Sequence, residues 1–186
     1  MDNIAFLAFQ SFVLTIPAFS ANSLAVITGG YGKMDFNRNF VDGKRILGDG
    51  KTWSGFFGGS FLATVAGLII YSFDFLDPGL FYSYGSTFTS ALVLILAMSF
   101  SSLTGDAIGS FTKRRMGMSR GANGSLLDQL PFILFTLLII FLFFHAFFMN
   151  VYGNIVGIVT VIVVTPPIHR AVNIIGFRMK KKEVPW

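Results

Sequence analysis

The stretch 129–169, QLPFILFTLLIIFLFFHAFFMNVYGNIVGIVTVIVVTPPIH, runs from Gln129 to His169 without a single Asp, Glu, Lys or Arg. About 20 mostly apolar residues in helical form cross a hydrocarbon core of roughly 30 Å, so this stretch has room for two crossings. The polar turn Asn150-Val151-Tyr152-Gly153-Asn154 divides them. Lipid offers no partners to open backbone groups, which forces the crossing segments to be helical.

The same criterion locates the rest of the spans. No charge occurs between Asp2 and Lys33, and the gaps 56–73 and 86–105 are also uncharged. The expectation is an all-α integral membrane protein of one domain, 1–186. Its five transmembrane helices are expected near 4–27, 56–73, 86–105, 130–149 and 155–175. Composition agrees: 53% of residues are hydrophobic and only 12% charged, against about 25% charged in an ordinary soluble domain. Mean hydropathy is +0.68. A soluble enzyme and a disordered chain are excluded, and the absence of cysteine excludes a disulfide scaffold. A cleaved signal peptide is the weaker reading of the first span, because Met1-Asp2-Asn3 carries no positive side chain and Gln10, Ser11, Thr15 and Asn22 interrupt the apolar run.

Five crossings place alternate loops on opposite sides. The loop at about 28–55 holds Lys33, Arg38, Lys44, Arg45 and Lys51. The loop at about 106–129 holds Lys113, Arg114, Arg115 and Arg120. The C-terminal end holds Arg170, Arg178, Lys180, Lys181 and Lys182. Together these are all 14 basic residues of the chain, and under this topology they share one side. The positive-inside bias then puts the N-terminus outside and both loops and the tail in the cytoplasm, in a multi-pass protein of the cell membrane.

Most of the spans read as packing. Gly58, Gly59, Ala63 and Gly67 suit close helix approach, and the Phe-rich 132–148 segment reads as packing rather than a channel. His145 reads as a hydrogen-bonded structural residue near the outer surface. Pro166-Pro167 is expected to break the fifth helix. The Arg178-Met179-Lys180-Lys181-Lys182 cluster reads as a topology signal and an anionic-lipid contact.

Chemistry is expected in the two basic loops. Asp35, Asp42 and Asp49 recur at seven-residue intervals among the cations of the first loop, in a Gly-rich run. Topology alone has no use for these carboxylates. Glycine N–H groups can wrap a phosphate, and Lys51-Thr52 stands where the second helix begins and its positive end would face an anion. Arg45 stands where a Walker A loop requires glycine, so the run is not one. In the second basic loop, Asp106 and Asp128 lie at the membrane boundary beside Lys113, Arg114 and Arg115. Mg²⁺ takes one or two carboxylates and fills its remaining positions with water and phosphate oxygens. This face therefore suits chemistry joining a water-soluble phosphate compound to a lipid. No Ser-His-Asp order, HExxH or cysteine-ligand pattern supports acyl transfer by a triad or zinc hydrolysis.

Pro17, Asn22, the run Asp42-Gly43-Lys44-Arg45-Ile46-Leu47-Gly48-Asp49-Gly50-Lys51-Thr52-Trp53-Ser54-Gly55 and Asp128-Gln129-Leu130-Pro131-Phe132 resemble the archaeal CDP-archaeol synthase family over nearly the whole chain. That family is similar to the CDP-diacylglycerol synthases. Lys51-Thr52-Trp53-Ser54-Gly55 resembles their Lys-Thr-x-x-Gly element, and Gly105-Asp106, Ser110 and Lys113-Arg114 resemble part of their signature. Gln129 departs from it, standing where those enzymes carry Arg.

The resemblance implies transfer of a cytidylyl group from CTP to an unsaturated archaeal diether lipid phosphate, releasing pyrophosphate. It implies that Asp106 and Asp128 hold Mg²⁺ and act with Lys51 and Lys113 as catalytic residues. Arg114 and Arg115 would grip phosphates, and Asp42, Arg45 and Asp49 would order the loop and the nucleotide. Asn22, Thr52 and Arg120 complete the expected substrate contacts.

Three other readings are weaker. A CDP-alcohol phosphotransferase would carry Asp-Gly-x-x-Ala-Arg, whereas Asp42-Gly43 is followed by Lys44-Arg45-Ile46-Leu47. A small anionic-solute transporter would place charge or broken helices at mid-membrane depth. A structural subunit leaves the spaced carboxylates unexplained.

Overall fold

The computed structural model describes residues 3–76, 82–119, 124 and 126–180, and these are all-helical apart from loops and two isolated bridges. The helices are α1 (Ile4–Leu14), α2 (Ile16–Thr28), α3 (Trp53–Leu76), α4 (Phe88–Arg115), α5 (Leu126–Gln129), α6 (Pro131–Phe143), α7 (His145–Val151) and α8 (Ile155–Arg178).

Four stretches are long and apolar enough to cross a bilayer: Ile4–Thr28, Trp53–Phe73, Phe88–Arg115 and Ile155–Arg178. The first consists of α1 and α2, which meet at Thr15, two residues before Pro17. Proline supplies no N–H to the preceding turn. Thr15 stabilises the joint by donating from Oγ1 to the Ser11 carbonyl at 2.6 Å, and it also pairs with the Tyr152 hydroxyl at 2.9 Å.

The expected span 130–149 is not one helix. It divides at Phe144 (φ −131°, ψ 48°) into α6, shorter than the four crossing helices, and the seven-residue α7. No Gly or Pro marks this break. Aromatic packing orients α7 instead: the Phe147 ring stacks on Tyr84 at 5.8 Å and meets Tyr152 edge-on. His145 opens α7 with an exposed side chain, its ring edge-on to Phe141.

Two other expectations are corrected. Pro166-Pro167 does not end the last helix, because α8 runs through both to Arg178. The expected loop 106–129 is helical as far as Arg115. A charge-gap criterion stops a span at its first carboxylate, but Asp106 is compensated by Lys51 and gives the helix no reason to end. The stop comes at Gly117, whose φ of +77° favours glycine. Its N–H bonds the Arg114 carbonyl, and the Met118 N–H bonds that of Lys113.

The central helix is α4, with Leu94, Ile95 and Met98 buried among α2, α3 and α6. Small residues set the spacing. A Cβ on Gly58 or Gly59 would come within 2.7–2.8 Å of Thr28 or Ala25 on α2. A Cβ on Gly105 would meet the Pro131 carbonyl at 2.6 Å. Close backbone approach of this kind is how helices associate where no hydrophobic effect drives them together. It also draws the start of α6 against α4 beside Asp106.

Candidate active site

The first basic loop, residues 29–52, folds into a compact body around one carboxylate. Asp35 is buried and accepts two hydrogen bonds from Arg45, at 2.9 and 3.1 Å. It also accepts from the N–H groups of Asn37, Leu47 and Gly48 at 2.9–3.2 Å. Gly48 has φ +99°, a conformation open to glycine, and this turns its N–H toward the carboxylate. Arg45 reaches on to Asp49 at 3.2 Å, and Lys33 meets the same Asp49 oxygen at 2.6 Å. Thr52 Oγ1 accepts from the Gly55 N–H at 3.2 Å and so caps α3, while also accepting from Gly30 N–H.

Burial disfavours the Asp35 anion, but the Arg45 guanidinium and the three N–H groups outweigh it and hold the carboxyl well below its ordinary range. A depressed folded-state pKa contributes stability that is present above the ordinary carboxylate value and is lost only as pH falls through the folded value. Loop order is therefore expected to be flat from pH 7 to about 4 and to fail only in stronger acid. Trp53, which packs beside Gly32 at the base of the loop, reports this by fluorescence in a Trp186→Phe background. A transition near pH 5 or 6 would contradict the assignment.

This loop closes onto the end of α4. The Arg115 guanidinium donates to the carbonyls of Arg45 (2.6 Å) and Lys44 (3.2 Å) and lies 3.1 Å from Asp42. Lys44 returns a bond to the Arg115 carbonyl at 3.0 Å. The guanidinium also sits 4.8–4.9 Å from the ring centres of Phe40 and Phe111, which pack edge to face. The two basic segments expected to cooperate therefore meet in space.

Beneath this closure lie two lysine–carboxylate pairs. Lys51, at the loop's end, is bonded to Asp106 on α4. Lys113, two turns further along α4, is bonded to Asp128 on α5. Seven residues separate Asp106 from Lys113, which puts them on the same helix face about 10 Å apart along the axis. All four side chains are only partly exposed, between 15% and 27%. Asp128 Oδ2 also accepts from Gly124 N–H at 2.6 Å. His169 of α8 stacks on Phe132 of α6, and a Cβ on Gly105, the residue before Asp106, would meet the Phe132 Cα at 2.8 Å.

The four residues expected to act in catalysis, Lys51, Asp106, Lys113 and Asp128, thus form two ion pairs along α4. Asp42, Arg45, Asp49 and Arg115 join the loop network, and Arg114 bonds the Ser119 carbonyl at 3.3 Å. Asn22 lies deeper, donating to Ser102 Oγ at 3.3 Å one turn before Asp106. Arg120 lies outside the described residues. The list drawn from sequence lacks Asp35, the hub of the loop, although its place in the seven-residue series was the available signal. It also lacks His169.

The family model described as "CarS-like: CDP-archaeol synthase" matches residues 4–186. The CDP-archaeol synthase of Picrophilus torridus is 51% identical, with all of both chains covered. The chain belongs to the CDP-archaeol synthase family. The CDP-archaeol synthase of Archaeoglobus fulgidus is 39% identical, covering 93% of this chain and 94% of that one. That of Pyrococcus horikoshii is 40% identical, covering 95% and 96%. A solved structure described as "Structural insight into an intramembrane enzyme for archaeal membrane lipids biosynthesis" superposes with a TM-score of 0.64. It is 28% identical and covers 94% of each chain. As a CDP-archaeol synthase family member, this chain is a membrane-embedded nucleotidyltransferase of archaeal lipid synthesis.

Among the described residues, no group of three or more His, Cys, Asp or Glu side chains could encage a metal. Two separate, partly exposed carboxylates remain, a donor set that matches Mg²⁺ carried in on phosphate oxygens rather than a preformed protein cage.

Proposed function

We propose that this protein converts CTP and 2,3-bis-O-geranylgeranyl-glyceryl phosphate to CDP-archaeol and pyrophosphate. An oxygen of the lipid phosphate attacks the α-phosphorus of CTP in line. A new P–O bond forms there, and the bond from the α-phosphorus to the bridging oxygen breaks, releasing pyrophosphate. Positioning and charge screening supply most of the catalysis in such a reaction.

The observation that carries this reading is the presence of two ion pairs along α4, Lys51–Asp106 and Lys113–Asp128, beneath the loop closure. Without substrate, each lysine cancels one carboxylate. Phosphate oxygens compete for the lysines when the nucleotide enters. Asp106 and Asp128 are the residues that would hold Mg²⁺, which would supply charge neutralisation at the phosphates. Arg114, in the last turn of α4, is available to grip a phosphate, and Arg120 is proposed as a further phosphate contact. Asp42, Arg45, Asp49 and Arg115 keep the loop closed over the nucleotide, and Thr52 fixes the start of α3 beneath Lys51. Asn22 lines the floor.

In the membrane, α6 and α7 together make a fifth crossing. The N-terminus lies outside and the charged end faces the cytoplasm, as the positive-inside bias asks of a chain whose basic residues fall in alternate connections and the C-terminal end.

Purified protein, α-labelled CTP, Mg²⁺ and the diether lipid phosphate should yield labelled lipid. Label recovered only as CMP would mean hydrolysis and would overturn the proposal. Lys51→Ala removes a charge-assisted contact worth about 2 kcal/mol, so kcat/KM for CTP should fall about thirtyfold. Unchanged CTP kinetics would make Lys51 purely structural.

A further inference from the structure

The inward face of α8 follows a strict four-residue step through Gly157, Val161, Thr165, His169 and Asn173, a spacing that keeps all five on one side of a helix. Its first three members pack as small or apolar groups. The last two are polar and lie toward the basic end of α8, whose last turn carries Arg178. Asn173 is only 3% exposed.

The imidazole of His169 is held from two directions. Its ring stacks on Phe132 of α6, with centres 5.9 Å apart and planes 27° apart. Its Nδ1 stands 3.2 Å from the Asn173 amide nitrogen. With the amide donating, Nδ1 is the acceptor and the ring proton resides on Nε2. Phe132 is itself buried and meets Phe19 of α2 edge-on. The ring is thus oriented, with a donor at Nε2, against Phe132, whose Cα would lie 2.8 Å from a Cβ on Gly105, the residue before Asp106.

Lys51 and His169 come from different surroundings. Lys51 ends the polar loop. His169 belongs to α8 and stacks on α6, helices whose outward side chains, such as Leu134, Leu138, Val159 and Val163, are exposed to what would be lipid. An amphiphile reaching Asp106 from the bilayer passes these helices, and a nucleotide from the cytoplasm passes the loop. We infer that His169, oriented by Asn173 and Phe132, binds the phosphate of the lipid substrate and not the triphosphate of CTP. This rests on the two-substrate reading above and assigns one residue to one of its two phosphates.

The test is steady-state kinetics of the full-length protein in detergent with CTP and the diether lipid phosphate varied separately. His169→Ala should raise KM for the lipid phosphate about tenfold or more, the loss of one hydrogen bond to a charged group. KM for CTP should stay within about twofold. His169→Gln, whose amide can replace the Nε2 donor, should recover much of the loss. Asn173→Leu should fall between wild type and His169→Ala.

Equal increases in both KM values, or none in either, would overturn the assignment. If His169→Ala does not elute as a folded species, the Gln and Leu variants carry the same comparison. Wild-type protein that binds CTP but makes no CDP-lipid would refute the two-substrate reading itself, a result distinct from any pattern among the variants.

Discussion

Asp128→Asn is expected to elute as a folded protein and to lose turnover by about two to three orders of magnitude, the scale seen when one preorganised electrostatic contact is removed from a reacting centre. The amide oxygen can still accept from Gly124 N–H, so the local fold keeps a partner. What disappears is the charge that faces Lys113 and, in the proposed reaction, one of two Mg²⁺ ligands. The Mg²⁺ dependence of the residual turnover separates these roles. If Asp128 only neutralises Lys113, Asp128→Asn should leave the Mg²⁺ concentration for half-maximal rate unchanged. If it holds the metal, that concentration should rise. Near-normal turnover in Asp128→Asn would remove this residue from the chemistry.

Asp35→Ala should have the largest structural effect. It deprives the Arg45 guanidinium and three backbone N–H groups of their shared acceptor in a buried position. Arg45 is 30% exposed and can turn to water, but each buried N–H left without an acceptor costs about 1–3 kcal/mol, so residues 33–49 should lose amide protection in hydrogen exchange. The helices should not, because their contacts among α2, α3, α4 and α6 do not pass through the loop. Arg115 would lose the Arg45 and Lys44 carbonyls, and turnover should fall with the loop order. Normal protection of 33–49 in this variant would show that Asp35 is not the hub.

Much of this architecture could be read without coordinates, for a definite reason. A bilayer imposes a length and a polarity on any crossing segment, so uncharged gaps in the chain mark helices directly. The four long crossing helices begin within three residues of the expected starts, and the small residues of α3 do set helix spacing. The criterion fails where a charge is satisfied inside the protein. Asp106 looked like a boundary and is part of the α4 face, because Lys51 arrives from a distant segment to meet it. The same blindness concealed the break at Phe144, which no local residue signals and which aromatic contacts with Tyr84 and Tyr152 accompany.

The site shows the same division. Residue types and family resemblance nominated Lys51, Asp106, Lys113 and Asp128 as candidates, since phosphate chemistry at a membrane surface calls for cations and carboxylates. They could not say which lysine faces which carboxylate. They also could not say that the evenly spaced Asp35, Asp42 and Asp49 do different things: one is a buried hub, one meets Arg115, and one ties Lys33 to Arg45.

The linear order of residues alone determined the class of molecule, its membrane-crossing helices and the gathering of its cations, because hydration and lipid solvation act on each segment independently of its neighbours. Only the tertiary structure decided the pairing of charges, the closure of the loop onto α4 and the stacking of His169 on Phe132. Those depend on contacts between groups far apart in the chain, such as Lys51 and Asp106, 55 positions apart, and Lys44 and Arg115, 71 apart. Such contacts exist only once helix spacing, set by glycine against backbone, has brought the segments together.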